Sequence, residues 1–323
     1  MILLVTNTHD ITCDFIVREL QRRDRAFARL NLDEFPRFAS GVITAGRGNP
    51  EQAEIRWSNR RKVLRLGEVA SVLYRRPVPP VIDDAVRDEA LRKFCTDESY
   101  DFLRGLLFTL ECHWISNPEA IRKSEHKVYQ MRVASKVGLT MPRTLVTNDP
   151  SEVLDFFEAC SGNMVVKCIY MGFIDKQGAP ETIFTSIVSR EDLSDIDSVR
   201  LAPSIFQEYI YKQFDLRVTV VGERVFSAKI EAALPPNKPD WRACSIENLH
   251  HTPYLLPTSI ERACIELVHL LGLDFGALDF VVDRNGNFYF LEINPNGQWA
   301  WLETILGLPI SSALVDRLEG FGR

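Results

Sequence analysis

Asp279, Glu292 and Asn294 carry the densest chemistry in this 323-residue chain. They fall in two apolar runs, "GALDFVV" and "FYFLEINPNG", separated by Asn285-Gly286. That dipeptide between β-rich runs is a strong hairpin signal and predicts a two-residue type I′ turn. With that turn, Arg284 pairs with Asn287, Asp283 with Phe288 and Asp279 with Glu292, and Asn294 lies opposite Ala277. Side chains alternate with period two, so both carboxylates and the carboxamide share one face of the sheet. Opposed carboxylates repel, the more so when partly buried. A cation relieves that repulsion. An all-oxygen donor set suits Mg²⁺, which takes one or two carboxylates and shares itself with a substrate's phosphates. The plainer reading is a solvated strand face, but the flanks are too uniformly apolar for a surface hairpin.

A magnesium of that kind implies a nucleotide, yet no G-x-x-x-x-G-K-[ST] loop occurs. Lys167 ends the apolar run "MVVK", where a lysine is costly to bury without an anion, so it is a phosphate candidate. Lys127, in "SEHKVYQMRVA", reads by itself as a solvated helical lysine. The glycines of "CIYMGFIDKQGAP" (168–180) allow a flap over phosphates. "FQEYI" offers a strand end, Gln207, Glu208, Tyr209 and Ile210, whose backbone could meet an adenine edge. "DLRVTVVG" puts Asp215 and Arg217 on one strand face, where a cross-strand ion pair is the common explanation. Arg242, in "PDWRA", reads equally well as a surface residue. Nothing suggests a nucleophilic triad, an H-E-x-x-H metal helix or a dinucleotide G-x-G-x-x-G loop.

The elements that must position these residues follow from periodicity. "ILLVT", the helical "CDFIVRELQRR" and the strand "FARLNLDEF" form an opening β-α-β unit of a parallel sheet. "SVLYRRP" and a helix over 88–110 follow, then a turn at Asn117-Pro118 and a helical run to Gly138. Strands and a helix alternate to residue 206. From 213 the pattern turns antiparallel, with a hairpin at Gly222-Glu223. The length predicts two or three domains, with boundaries at 1–116, 117–206 and 207–323. Hydrophobic residues make up 46% of the chain, enough for packed interiors. A net charge of −6 gives no support to a nucleic-acid or anionic-membrane partner. Seven scattered cysteines without a C-x-x-C pair fit reduced thiols. The start "MILLVTNTHD" lacks the basic flank of a signal peptide, and no apolar stretch reaches membrane-spanning length. A cytoplasmic protein is the expectation.

In that order and spacing, Lys127, "VVKC", "QEYI", "DLRVTVVG" and "ALDF…LEINPNG" resemble the ATP-grasp superfamily. "YRRP" (74–77), "WISNP" (114–118), "GLTMPRTLVTN" (138–148) and "PDWR" (239–242) resemble the graspetide ligases, the peptide macrocyclases of microviridin-type products. The resemblance implies an α/β and α+β three-domain fold. A parallel-sheet pre-grasp domain precedes two grasp domains built on antiparallel sheets. It implies an enzyme that uses ATP and Mg²⁺ to phosphorylate a Glu or Asp side chain of a ribosomal precursor peptide. A Thr or Ser hydroxyl, or a Lys amine, then closes an ω-ester or ω-amide ring.

Position by position, the resemblance implies that Lys127 and Lys167 meet ATP phosphates, with Lys229 a further candidate. Gln207, Glu208, Tyr209 and Ile210 meet the adenine, and Asp279, Glu292 and Asn294 the metal. Arg217 and Arg242 stabilise the γ-phosphate and the acyl phosphate by charge. Asp215 bonds a ribose, orients Arg217 or touches the substrate. Ribosomal-protein glutamate ligases, which share the D-[LI]-R-V hairpin, carry a basic residue near Glu231. That departure argues against simple glutamate ligation, and Lys229 replaces the missing charge only if the turn at Gly222 has an odd loop. The leader segment of the precursor is expected on the middle domain. There the stretch 181–200 holds Glu181, Glu191, Asp192, Asp195 and Asp197 against two arginines. A solvated acidic loop is the bland reading; steering of a basic leader helix is the sharper one. A carboxylate–amine ligase adding an amino acid, and a nucleotide-binding regulator without ligation, are the competing functions. No nucleic-acid or membrane partner is expected, and homodimerisation is left open.

Overall fold

The computed structural model describes residues 1–44, 46, 52–58, 62–170, 172–176, 179–232, 239–244 and 248–320. The chain opens with β1 (Ile2–Thr6), α1 (Ile11–Arg22) and β2 (Phe27–Asn31). The second strand is shorter than its sequence suggests, because Leu32–Glu34 turns into a single 3₁₀ turn. Three short antiparallel strands follow: β3 (Ala39–Thr44), β4 (Gln52–Trp57) and β5 (Lys62–Arg65). They were not foreseen, because runs such as β5, buried at one position only, carry little periodic signal. Next come β6 (Ser71–Tyr74), α2 (Glu89–Phe108) and β7 (His113–Ile115). The order β2-β1-β6-β7 is parallel throughout, as read, so the first region is a parallel sheet with an antiparallel one attached.

The helical run to Gly138 is two helices, α3 (Pro118–Ser124) and α4 (Lys127–Lys136). Asn117 caps the first, its side chain accepting from the Glu119 amide with Pro118 at the first helical position. Then come β8 (Thr144–Thr147), α5 (Pro150–Ala159) and β9 (Met164–Lys167). A small hairpin, β10 (Phe173–Lys176) with β11 (Ala179–Thr182), lies within 168–180; Met171, Gln177 and Gly178 of that stretch lie outside the described residues. β12 (Ser186–Val188) and β13 (Ser204–Glu208) complete the antiparallel sheet β12-β9-β13-β8. The acidic stretch between them is not a loop: Asp192–Leu201 forms two 3₁₀ pieces joined by a kink at Asp195.

The last region is the antiparallel sheet β16-β15-β14-β17-β18. Its strands are β14 (Lys212–Val221), β15 (Arg224–Ala232), β16 (Leu249–Pro253), β17 (Phe275–Asp283) and β18 (Phe288–Asn294). α6 (Thr258–Leu270) precedes β17, and α7 (Ala300–Leu306) and α8 (Ile310–Gly320) follow β18. The expected hairpin at Gly222-Glu223 is present, with Val221 opposite Arg224.

The second hairpin reaches its expected register by another route. Asp279 does pair with Glu292 and Ala277 with Asn294. The turn, however, has three residues: the Asp283 amide donates to the Asn287 carbonyl and the Gly286 amide to that of Asp283. The Asp283 carboxylate also accepts from the Asn285 and Asn287 amides at 2.8 and 2.9 Å. It thereby holds a turn in which Gly286 alone is left-handed, φ 81°, where a type I′ turn needs two such residues. Phe288 therefore pairs with Val282, not Asp283, and the predicted Arg284–Asn287 pair does not form. A β-bulge at Leu291 then restores the offset before the acids are reached.

Three cores matter for the site. The C-terminal sheet buries Leu216, Val218, Leu278 and Phe280 against α6 and also against Ile121, Val133 and Ala134 of α3 and α4. Its other face joins Ile2, Leu4, Ile16 and Leu20 of the first unit to Leu314 and Leu318 of α8. The central sheet has a small core of its own: Val153, Phe157, Met164, Val188 and Phe206.

Candidate active site

A cleft of about 270 Å³ opens between the central and C-terminal sheets. Lys127, Lys167, Gln207, Glu208, Tyr209, Ile210, Asp215, Arg242, Asp279 and Glu292 all line it, as do Pro142, Val165 and Leu291. Most of these side chains sit on regular elements, and Tyr209 and Ile210 follow directly on β13. Lys167 ends β9, where Val166 pairs with Phe206 of β13 and Val165 with Gln207. Lys127 is the first residue of α4, and Gln130 one turn later bonds the backbone of Ile293 on both sides, at 2.8 and 3.1 Å. That buried glutamine acts as a neighbouring strand for β18, so one helix sets both the Lys127 ammonium and the register of Glu292. Nothing in "VYQM" marks Gln130 for this role.

The reacting end is a network of opposite charges. Arg217 donates to Asp279 at 2.7 Å and to the Gln298 carbonyl at 3.3 Å, leaving its Nε buried without a hydrogen-bond partner. Lys127 lies 3.2 Å from Glu292 and donates to the Cys168 carbonyl at 3.1 Å. Arg242 grips Asp240 through two bonds of 2.9 Å and stands 3.9 Å from Glu292. The repulsion between Asp279 and Glu292 is thus met largely by protein cations. Burial raises the Asp279 carboxyl above the usual range, with Arg217 opposing. Burial would raise Glu292 too, but Lys127, Lys167 and Arg242 overcome it and hold that carboxyl low. Burial also pushes the Lys167 ammonium down to about 8, against the pull of Glu292. Asp215 is pushed up to about 6 by burial, against its 2.5 Å pairing with Lys212.

Two groups bear on what the site can hold. The Asn294 amide nitrogen lies 3.3 Å from both the Asp279 and the Glu292 carboxylates. A half-turn of that amide presents its oxygen instead, giving three hard oxygen donors converging on one point, a fit for Mg²⁺ with positions left for phosphates. Among the described residues no group of three or more His, Cys, Asp or Glu is placed to hold a metal. On the central sheet, the amides of Glu208 and Tyr209 are already bonded to the carbonyls of Arg143 and Asn163. The Ile210 amide has no such partner among the described residues.

Some expectations change here. Lys127 is not a solvated helical lysine: its side chain is 19% exposed and faces Glu292. Glu208 spends its carboxylate on Arg143 at 3.1 Å. Lys229 does not reach the cleft and is corrected. It lies opposite Leu216, on the other face of the sheet from Arg217, 2.8 Å from Glu231 and over the Phe214 ring. Two contributors went unread, Asp240 and Lys212. Lys212 joins Asp215 to the Pro239 carbonyl, and so to the segment that carries Arg242. The signal for both was present: an acid two residues before Arg242 and a lysine three before Asp215.

Comparison with known proteins gives the family. Residues 1–122 match the MvdD pre-ATP-grasp domain and residues 124–318 the RimK-like ATP-grasp domain. Macrocyclase MdnC of Microcystis aeruginosa MRC, solved bound with precursor peptide MdnA, is 30% identical with a TM-score of 0.87. The match covers 99% of each chain. A RiPP-associated ATP-grasp ligase of Chryseobacterium gregarium, solved with ADP and a leader and core peptide, is 28% identical with a TM-score of 0.89. The match covers 98% of this chain and 96% of that one. The probable alpha-L-glutamate ligase of Marinomonas sp. (strain MWYL1) is 26% identical over 64% of this chain. This chain spans 66% of that relative's length. With a pre-grasp unit, two sheets closing on a cationic cleft and both family models matched end to end, the chain belongs to the RimK-like ATP-grasp ligases that carry an MvdD-type pre-grasp domain.

Proposed function

We propose that this ligase activates Glu or Asp side chains of a ribosomal precursor peptide and closes ω-ester or ω-amide rings. The observation that carries the reading is the cleft's charge plan. Four cations, Lys127, Lys167, Arg217 and Arg242, converge on Asp279 and Glu292. That surplus suits a triphosphate and an incoming carboxylate together. The adenine edge meets the Ile210 amide and the Glu208 carbonyl, while Lys127 and Lys167 hold phosphates. Asp279, Glu292 and Asn294 would hold Mg²⁺, which would supply charge neutralisation to the bound phosphates.

The substrate carboxylate attacks the γ-phosphorus, the bond to the bridging β,γ-oxygen breaks, and ADP departs. Arg217 and Arg242 hold the charge that builds on the transferred group and on the acyl phosphate. A Thr, Ser or Lys nucleophile then attacks the acyl carbon. The C–O bond to phosphate breaks, and the nucleophile's proton leaves with the phosphate. Asp215 serves by position, tying Lys212 and the 239–242 segment to the strand that carries Arg217. The leader is assigned to the central unit's acidic 3₁₀ segment. There Asp192 is committed to the Ser189 amide and hydroxyl, at 2.7 and 2.8 Å, while Glu191 and Asp195 are exposed.

The test is incubation with ATP, Mg²⁺ and a synthetic leader–core peptide carrying Thr and Glu. Loss of one water mass per ring is expected, and Glu292→Gln should abolish ATP turnover with the fold intact. Gain of an amino-acid residue mass would favour the glutamate-ligase reading; wild-type turnover in the variant would remove Glu292 from the site. Glu191→Lys with Asp195→Lys should weaken leader binding most at low salt, and unchanged binding there would return the segment to plain surface.

A further inference from the structure

Among the described residues, three other than glycine have positive φ: Asp24 (53°), Ser161 (53°) and Arg76 (42°). Asp24 and Ser161 directly follow the C-caps of α1 and α5, where a left-handed residue ordinarily ends a helix. Arg76 has no such reason. It lies two residues beyond the end of β6 and precedes Pro77, a place where steric clash favours extended backbone. The strain is held in place: the Asn7 side chain donates to the Arg76 carbonyl at 2.6 Å, and the Arg75 amide donates to the Val5 carbonyl at 2.8 Å.

The held side chain is an arginine short of partners. Its Nε donates to the Asn296 carbonyl at 2.8 Å, two residues after Asn294. Its terminal nitrogens meet no acceptor, and no carboxylate lies within ion-pair distance, among the described residues. The acid whose charge it feels, Asp10, is already bound to Arg75 at 3.1 Å and to Thr6 at 2.8 Å. Arg76 is exposed and also feels the repulsion of Arg217, so two like charges lie near each other. Strained backbone that aims an unpaired guanidinium beside another is the pattern of an anion receptor.

We propose that Arg76 receives the substrate carboxylate from the pre-grasp side of the cleft, opposite the phosphate lysines. The inference rests on the reading of this chain as a carboxylate-activating ligase. A planar guanidinium with two free N–H groups matches a carboxylate in a bidentate bond, and it holds the acid in place before phosphoryl transfer. Free phosphate shares the chemistry of an oxyanion, so the test separates the two.

Binding of N-acetyl-L-glutamic acid α-amide and of inorganic phosphate would be measured by NMR titration, each with ADP present. The full-length wild type, Arg76→Gln and Arg76→Gly would be compared. The amide ligand is expected to bind at least about tenfold more weakly to both variants, with phosphate and ADP affinities unchanged. Arg76→Gly should also melt at a higher temperature, because glycine adopts this φ without strain. Equal affinity of the carboxylate probe for wild type and Arg76→Gln overturns the assignment, and so does loss of phosphate binding alone. Failure of the wild type to bind the probe at all would sink the ligase reading along with it. A glycine variant less stable than wild type would remove the argument from strain.

Discussion

The two walls of the cleft are built differently. The C-terminal wall carries Asp279, Glu292 and Arg217 on strands whose two faces lie in two separate cores. One core reaches α3, α4 and α6, and the other reaches the first unit and α8. The central wall carries Lys167 and the Gln207–Ile210 strand end on a sheet whose own core has five buried apolar residues, two of them from α5. Charge placed on the first wall is held fixed from both sides, which is what stabilising a transition state requires. On the proposed function the second wall supplies phosphate and adenine contacts, and its smaller core gives it the lower cost of opening. On that function, nucleotide entry and chemistry are divided between a loose wall and a stiff one.

The sharpest way to break this contrast is a pair of core truncations. Phe157→Ala empties the small central core and should cost about 3–5 kcal/mol. Its effect on amide hydrogen exchange should fall on β9 and β13 and leave β14 and β17 protected. Leu267→Ala, in the core beneath the stiff wall, should cost about 2–5 kcal/mol and loosen both sheets. Equal loosening of the two walls by Phe157→Ala would mean that they unfold as one.

Arg217 and Arg242 sharpen the contrast next. Arg217 is 10% exposed and fixed to Asp279, whereas Arg242 is 52% exposed and fixed by one segment. Removing Arg217 should lower kcat by about 2.7–4 kcal/mol with little change in ATP affinity, the figure for one preorganised charge donor. Arg242→Ala should lose less. A rise confined to the KM for ATP in Arg217→Ala would place that residue in ground-state binding.

The smallest effect is a pH dependence carried by the loose wall. Lys167 has its ammonium at about 8, well below an ordinary lysine. Bound phosphate favours the charged form, so nucleotide affinity should be level below pH 8 and fall up to about tenfold per unit above it, with proton uptake on binding. The nucleotide-free protein has the opposite sign. Its folded state resists carrying this charge, so stability from this group rises as pH climbs from about 8 toward the unfolded lysine value. Affinity that stays flat to pH 10 would put Lys167 out of phosphate contact.

The placement of Asp279 opposite Glu292 was legible because alternation and apolar flanks fix the face of a strand, even with the wrong turn assumed. The turn itself was not, since Asp283 captures two amides that no propensity for Asn-Gly anticipates. The facing of Lys229 hung on the loop length at Gly222: an even, two-residue turn sets Arg217 opposite Ala228 and sends Lys229 to the other face. Lys127 was beyond reach by pattern alone, because its partner Glu292 arrives 165 residues later through packing of α4 on β18. The same holds for α3 and α4, which sit next to the central sheet in sequence but belong to the core of the C-terminal one.

One of those shared cores has a consequence for synthesis. Ile16 and Leu20 of α1 are covered by Leu314 and Leu318 of α8, nearly three hundred residues downstream. A ribosome adding about 5–20 residues per second needs roughly 15–60 s to supply that cover. Throughout that interval the nascent parallel sheet presents an apolar helix face with nothing upon it, open to chaperones and to proteases alike. A chain stalled before Ile310 should therefore be cut within α1 by a protease that spares the finished protein, and equal resistance of the two would show that the first unit closes unaided.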